Sequence, residues 1–256
     1  MTPPSLFLLR VPVNLPALAR LAATRGWVQS DGFDEGRALH HLLAETFGKG
    51  ITQPFRLLVP PRKNNGNLYA YTPADLATLQ NTAQTIALPE NLSVLDLGQM
   101  AAKPMPTNWT TGQRLGFDLH TRPVRRLNAA LGSFAKGAEI DAFLAEVLHR
   151  HPDKPPESQE ATREAVYLDW LGERLAGVAT LDLSVTSMAR FRRSRVARGG
   201  PRSKGSEGPE ATIHGTLQIT DPQRFAALLT RGVGRHRAYG FGMLLLRAPG
   251  KPIPED

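Results

Sequence analysis

The chain of 256 residues contains no cysteine. That single absence excludes disulfides, thiolate metal sites and a cysteine nucleophile, and it fits a reducing compartment such as the cytoplasm. Long apolar runs are missing as well. The run Leu6–Leu9 is closed at once by Arg10, too short for a signal-peptide core or a membrane span. A soluble cytoplasmic protein with no membrane partner is therefore expected. Acid is missing from one place in particular. Arg190, Arg192, Arg193, Arg195, Arg198, Arg202 and Lys204 follow one another with no carboxylate among them, and these seven account for all but one of the net charge of +8. A local basic stripe is the electrostatic footprint of a polyanion, most often nucleic acid. An anionic membrane would normally be met by an amphipathic helix, whereas this stripe reads as a strand followed by a Gly/Pro/Ser loop.

Metal-ligand and triad signatures are also lacking. His149 and His151 stand two apart on an expected helix and so diverge, and no carboxylates cluster in sequence with His120, His214 or His236. No metal and no cofactor is expected. No nucleophile elbow supports a Ser-His-Asp triad.

What is present reads as alternating strands and helices. Ser5–Val13 is a strand, Phe33–Phe47 a helix capped by Asp34, and Pro54–Pro60 and Asn67–Thr72 are strands joined by a turn at Lys63-Asn64-Asn65-Gly66. Asp75–Ile86 reads as a helix and Leu92–Leu97 as a strand, which completes a β-α-β-β-α-β ferredoxin-like unit. The polar, proline-containing stretch Ala101–Thr111 reads as a linker. Beyond it, Arg114–Thr121, Ala179–Val185, Ser187–Arg195, Thr212–Thr220 and Phe241–Arg247 are strand-like. Ala138–His151, Gln159–Ala176 and Asp221–Thr230 are helical. The fold class is thus α+β, two tandem ferredoxin-like (RRM-like) units, 1–105 and 106–250, the second with a helical insertion near Ala129–Glu157. The duplication rests on element order, with no repeat in the sequence itself. Ala197–Pro209, rich in Gly, Pro, Ser and basic residues, reads as a mobile loop.

The strongest local motif is Gly232-Val233-Gly234-Arg235-His236-Arg237-Ala238-Tyr239-Gly240-Phe241-Gly242. A P-loop would need Lys followed by Ser or Thr after its last glycine, and neither is there. A Rossmann fingerprint runs from strand to helix, whereas this segment runs from helix to strand. Gly232, Gly234, Gly240 and Gly242 allow backbone N–H groups to approach a phosphate, Arg231, Arg235 and Arg237 add charge, and Tyr239 offers a stacking face to a base. The alternative is a tight helix-to-strand connection, for which fewer glycines would suffice. On the basic stripe, Arg190 and Arg192 share one strand face while Phe191, Arg193 and Arg195 share the other. Arg122, Arg125 and Arg126 form a second basic cluster.

At Gly232–Leu246 the sequence resembles the RNA-processing endoribonucleases of CRISPR systems, most closely the CasE branch, and equally their type IV counterpart. Ile219–Pro222 with Phe225 and Leu228, the Trp170 helix followed by the basic hairpin, Phe117–Arg125, and Leu39-His40 before Leu43 and Phe47 extend the resemblance over most of the chain. The resemblance implies recognition of a CRISPR repeat RNA hairpin and metal-independent cleavage at its 3′ base through attack by the ribose 2′-OH. It further implies that the product stays bound with other subunits of a crRNA-guided effector complex. His40 is the position matched to the family's catalytic histidine, and an unperturbed histidine, titrating at about 6.5, serves as acid or base near neutrality. Arg37, three residues earlier on the same helix face, replaces a tyrosine common in the family. An arginine holds phosphate but is a poor proton shuttle. Arg25, in the segment before this helix, is a further candidate. From the residues alone His40 reads more readily as a solvated surface histidine beside a salt-bridging Arg37, and it is the Leu39-His40 resemblance that turns the reading toward catalysis.

Overall fold

The computed structural model describes residues 6–28, 32–150, 162–196 and 206–249. In chain order the first unit contains β1 (Phe7–Asn14), α1 (Leu15–Thr24), α2 (Glu35–Phe47), β2 (Phe55–Leu58), β3 (Asn65–Thr72), α3 (Leu76–Ile86), the single turn α4 (Pro89–Leu92) and β4 (Ala101–Pro104). The second contains β5 (Arg114–Thr121), β6 (Val124–Arg126), β7 (Glu139–Asp141), α5 (Ala142–Arg150), α6 (Arg163–Leu175), β8 (Ala179–Val196), β9 (Ser206–Ile219), α7 (Pro222–Arg231) and β10 (Leu244–Arg247).

The two main sheets are antiparallel, in the orders β2-β3-β1-β4 and β10-β5-β9-β8. Each places its unit's strands in the spatial order fourth, first, third, second, so the ferredoxin-like arrangement occurs twice. The first core forms because β1 alternates, burying Leu9, Val11 and Val13 against Leu39, Leu42 and Leu43 of α2 and Leu79 of α3. The second gathers Phe117, Ile213 and Leu217 beneath Trp170 of α6 and Phe225 of α7. Tyr71 of β3 joins this second core and donates its hydroxyl to the Leu244 carbonyl at 2.9 Å.

Several sequence expectations need correction. Residues 15–24, to which the sequence pattern assigns no element, are helical; Asn14 accepts from the Ala17 N–H at 3.0 Å and Pro16 sits in the first turn, both ordinary helix-start signals. The strand expected at Leu92–Leu97 is absent. Val94 and Leu95 are buried through turns, one bridge links Val13 to Leu95, and Asp96 caps a short 3-10 turn over Leu97–Gln99. The fourth strand is instead Ala101–Pro104, inside the stretch read as linker, paired to Phe7–Arg10 by its backbone. Asn65 and Gly66, expected in a turn, belong to β3. The helix expected over Ala138–His151 begins with β7 and is helical only from Ala142. The two strands expected between Ala179 and Arg195 are one strand with register shifts between Asp182 and Ser187 and between Met188 and Arg190. Its partner β9 begins at Ser206, inside the stretch read as a loop. No helix among the described residues is long and apolar enough to cross a membrane.

Candidate active site

Helix α2 is set by its own sequence. Asp34 accepts from the Arg37 N–H at 3.0 Å as N-cap, Glu35 complements the first turn, and Ala38, Leu39, Leu42, Leu43 and Phe47 fill the core. That orientation leaves Arg37, His40 and His41 partly exposed. His40 Nδ1 and Arg37 Nη1 are both buried atoms with no hydrogen-bond partner among the described residues, as is Asp34 Oδ2. A proton acceptor and a cation donor thus stand one turn apart with their bonding capacity unspent, a costly arrangement unless a ligand completes it.

Burial lowers the His40 pKa below the ordinary histidine value; His41 and Lys49 add to this, and a backbone hydrogen bond to Ala238 opposes it. His41 is lowered too, by burial first and then by Arg37. Its ring stacks on Trp27 with centroids 5.1 Å apart and lies tilted to the His40 ring at 5.4 Å. Arg25 lies 4.0 Å from both Glu45 and Glu90. Glu45 is five residues beyond His40, about 140° around the helix, so the ion pairs of Arg25 lie off the His40 face.

The glycine-rich loop reaches α2 from the second unit. Tyr239 packs its ring 5.1 Å from that of His40. A Cβ built on Gly36 would lie 2.5 Å from the Tyr239 carbonyl oxygen, so the loop approaches α2 where α2 has no side chain. This corrects the phosphate reading for two glycines. The Gly232 N–H is spent on the Leu228 carbonyl at 2.6 Å and the Gly242 N–H on the His120 carbonyl at 2.7 Å, and both residues are buried. Gly234 and Gly240 lie against the rings of Trp170 and Phe55. The loop's charges are distributed unevenly. Arg235 pairs with Glu139 at 2.5 Å, Arg237 donates to the Arg231 carbonyl at 2.5 Å, and Arg231 is exposed.

On the β8–β9 hairpin Arg190, Arg192, Arg193 and Arg195 are all exposed. Arg192 is ion-paired with Glu210, and Arg193 with Glu207 at 2.8 Å. Phe191 faces inward, 6.1 Å from the Tyr167 ring, with the Arg163 guanidinium 4.4 Å above it. Arg198, Arg202 and Lys204 lie outside the described residues. Arg122 requires correction as a surface contact. It is 2% exposed, donates to the Ser194 carbonyl at 3.2 Å and lies over Phe241, so it ties the hairpin to the loop. Arg125 pairs with Glu173 at 2.6 Å, and Arg126 is exposed.

Sequence reasoning missed the acids. His120 meets Glu210 at 3.2 Å, His214 meets Asp118 at 2.6 Å, and His236 meets Glu139 at 2.8 Å. Glu210 and Asp118 are buried, and Arg56 of β2 crosses from the first unit to Asp118 at 3.0 Å. The signal was strand alternation, which puts Glu210, Thr212, His214 and Thr216 on one face of β9 opposite Asp118 and His120 of β5. Among the described residues no three such side chains are arranged to hold a metal ion.

A family model described as CRISPR associated protein matches residues 6–248. Among solved structures, the CRISPR endoribonuclease Cse3 bound to a 19-nucleotide RNA is 23% identical with a TM-score of 0.63, over 96% of this chain and 100% of that one. Thermus thermophilus Cse3 bound to an RNA representing a pre-cleavage complex is 21% identical with a TM-score of 0.62, over 95% and 99%. A chain of a CRISPR RNA-guided surveillance complex in a pre-nicking state is 18% identical with a TM-score of 0.56, over 94% and 99%. These likenesses establish a common fold. No curated protein matches the chain.

Proposed function

Because the chain belongs to the CRISPR-associated protein family, we propose that it binds the stem-loop of CRISPR repeat RNA and cuts the precursor, in the cytoplasm, to give mature crRNA. The observation that carries this reading is the pair of unpartnered buried atoms on α2, His40 Nδ1 and Arg37 Nη1. They meet the demands of 2′-OH attack without a metal. With its pKa held down, His40 is neutral near pH 7 and accepts the proton of the ribose 2′-OH as that oxygen bonds to phosphorus. The bond from phosphorus to the 5′-oxygen breaks, and that oxygen takes a proton from water. The products are a 2′,3′-cyclic phosphate and a 5′-hydroxyl. Arg37 offers its guanidinium to the phosphoryl oxygens as charge builds on them, the electrostatic role suited to a group that keeps its proton.

The grip in this reading is the exposed basic hairpin, Arg190, Arg192, Arg193 and Arg195, continued through Arg198, Arg202 and Lys204, with Arg125, Arg126 and Arg231 flanking it. Exposed ion pairs such as Arg193–Glu207 are worth about 0–1 kcal/mol, so exchanging the carboxylate for RNA phosphate costs little. The domain units are 1–105, carrying α2, and 106–250, carrying hairpin and loop. The product remains bound within a larger crRNA-guided ribonucleoprotein, a partnership supported by likeness to a surveillance-complex chain.

The decisive assay is incubation with repeat RNA in EDTA. Cleavage is expected, and a 2′-deoxy sugar at the scissile position should abolish it; cutting of the deoxy substrate would rule out this chemistry. A second reading is favoured by Arg37, which stands where relatives often carry tyrosine. In it the chain is an RNA-binding subunit that has lost the cut. Tight binding with no cleavage, indifferent to His40→Ala, would select it.

A further inference from the structure

The loop first read as a phosphate grip packs against His40 and its helix. His40 meets it twice, through the Tyr239 ring at 5.1 Å and through the Ala238 backbone. Helix α2 meets it a third time at Gly36, where the Tyr239 carbonyl occupies the space a side chain would take. The segment that delivers these contacts is pinned at both ends. His236, left-handed at φ 64°, opens the 3-10 turn Arg237–Tyr239, and its imidazole is held by Glu139 at 2.8 Å. Gly240, left-handed at φ 83°, closes the turn against Phe55. Arg237 is tied back to the Arg231 carbonyl. A non-glycine residue in left-handed backbone is uncommon and strained, and the Glu139 contact helps to hold it there. Centroids 5.1 Å apart lie within the usual span for packed rings, so one side of Tyr239 is already taken by His40.

We propose that Tyr239 is a positioning residue for His40: its ring and its backbone hold the imidazole in the orientation that leaves Nδ1 without a protein partner. This rests on the reading of His40 as the reacting base. Tyr239 acts through His40 and, unlike a base-stacking residue, carries no share of RNA affinity. Gly36 is the matching feature on α2, because any larger residue displaces the Tyr239 backbone.

The test uses the full chain with Tyr239→Leu, Tyr239→Phe and Gly36→Ala. Three readouts are taken: single-turnover cleavage, affinity for repeat RNA, and the His40 titration followed by NMR without RNA. A misplaced reacting group costs up to about a hundredfold in rate. Tyr239→Leu should slow cleavage on that scale and leave affinity unchanged, while Tyr239→Phe, which keeps the ring, restores the rate. The groups facing His40 are His41 and Lys49 on its own side, with Arg37 one turn before it, and the Tyr239 ring and Ala238 backbone from the loop. Only the packing changes in Tyr239→Leu, so the His40 midpoint rises toward the ordinary histidine value as water reaches the ring. Gly36→Ala should slow cleavage and move the midpoint in the same direction with the tyrosine intact. An unchanged His40 midpoint in both Tyr239→Leu and Gly36→Ala would overturn the proposal, as would a Tyr239→Leu defect confined to affinity. Because the titration needs no RNA, it decides the positioning role even for a chain that binds without cutting.

Discussion

The α2 site and the β8–β9 hairpin are built on opposite electrostatic plans. The hairpin arginines are exposed, and Arg192 and Arg193 face carboxylates that screen them. At α2 few charges are present, but His40 Nδ1 and Arg37 Nη1 are buried and unpartnered. Solvated, partnered charge is cheap to hold and suits a surface that exchanges partners along a polyanion. Buried, unpartnered polar atoms are expensive to hold and are retained where a ligand completes them. The contrast separates gripping from cutting within one chain, and it can be broken by experiment.

The largest effect should come from His40→Ala. Loss of general acid–base help lowers the cleavage rate by about a hundred- to ten-thousandfold, with RNA affinity unchanged in a filter-binding titration. Equal loss of affinity and rate would erase the division. Next, Arg37→Ala should reduce the cleavage rate by about a hundredfold, the scale for removing one preorganised donor, and Arg37→Lys should recover only part of it, since a point charge does not reproduce the guanidinium fork. Third, Arg190→Ala should leave single-turnover cleavage at saturating protein intact and weaken binding. The slope of log affinity against log salt should become shallower by about 0.7–0.9. The smallest effect is a displacement along the pH axis. Because burial lowers the His40 pKa and the neutral ring is the reactive form, the rate climbs with pH and its midpoint falls below the usual histidine value of about 6.5. A pH–rate midpoint at or above that ordinary value would contradict the assignment of His40 as base.

Much of this was legible in the chain. The Asp34 cap and the apolar spacing of α2 specified a helix presenting Arg37 and His40 together, and β5 matched its expected limits from Arg114 to Thr121. What escaped has physical causes. Helix α1 announces itself by Asn14 and Pro16, signals easily outweighed by the apolar strand pattern just before them. Strand β4 has no pattern to read, since Ala101–Pro104 pairs through backbone hydrogen bonds and buries little. Leu92–Leu97 has the apolar content of a strand but buries it through turns. In the loop the glycines were visible and their task was not, because which N–H groups are already spent depends on Leu228 and His120. The buried acids Glu210 and Asp118 were hidden for the same reason: each is partnered by residues distant in sequence.

Tyr71 bears on how such a duplicated chain can change over time. It is encoded in the first unit, yet its ring is buried in the second unit's core and its hydroxyl is bonded to the Leu244 carbonyl. The two halves therefore share an inventory of parts. A gene fragment ending after β4 would carry an aromatic with nothing to cover it, and one beginning at β5 would carry a core lacking a member. Units that look interchangeable in topology are thereby bound to inherit together, and a replacement for either half must arrive with a residue able to fill, or to dispense with, the place of Tyr71.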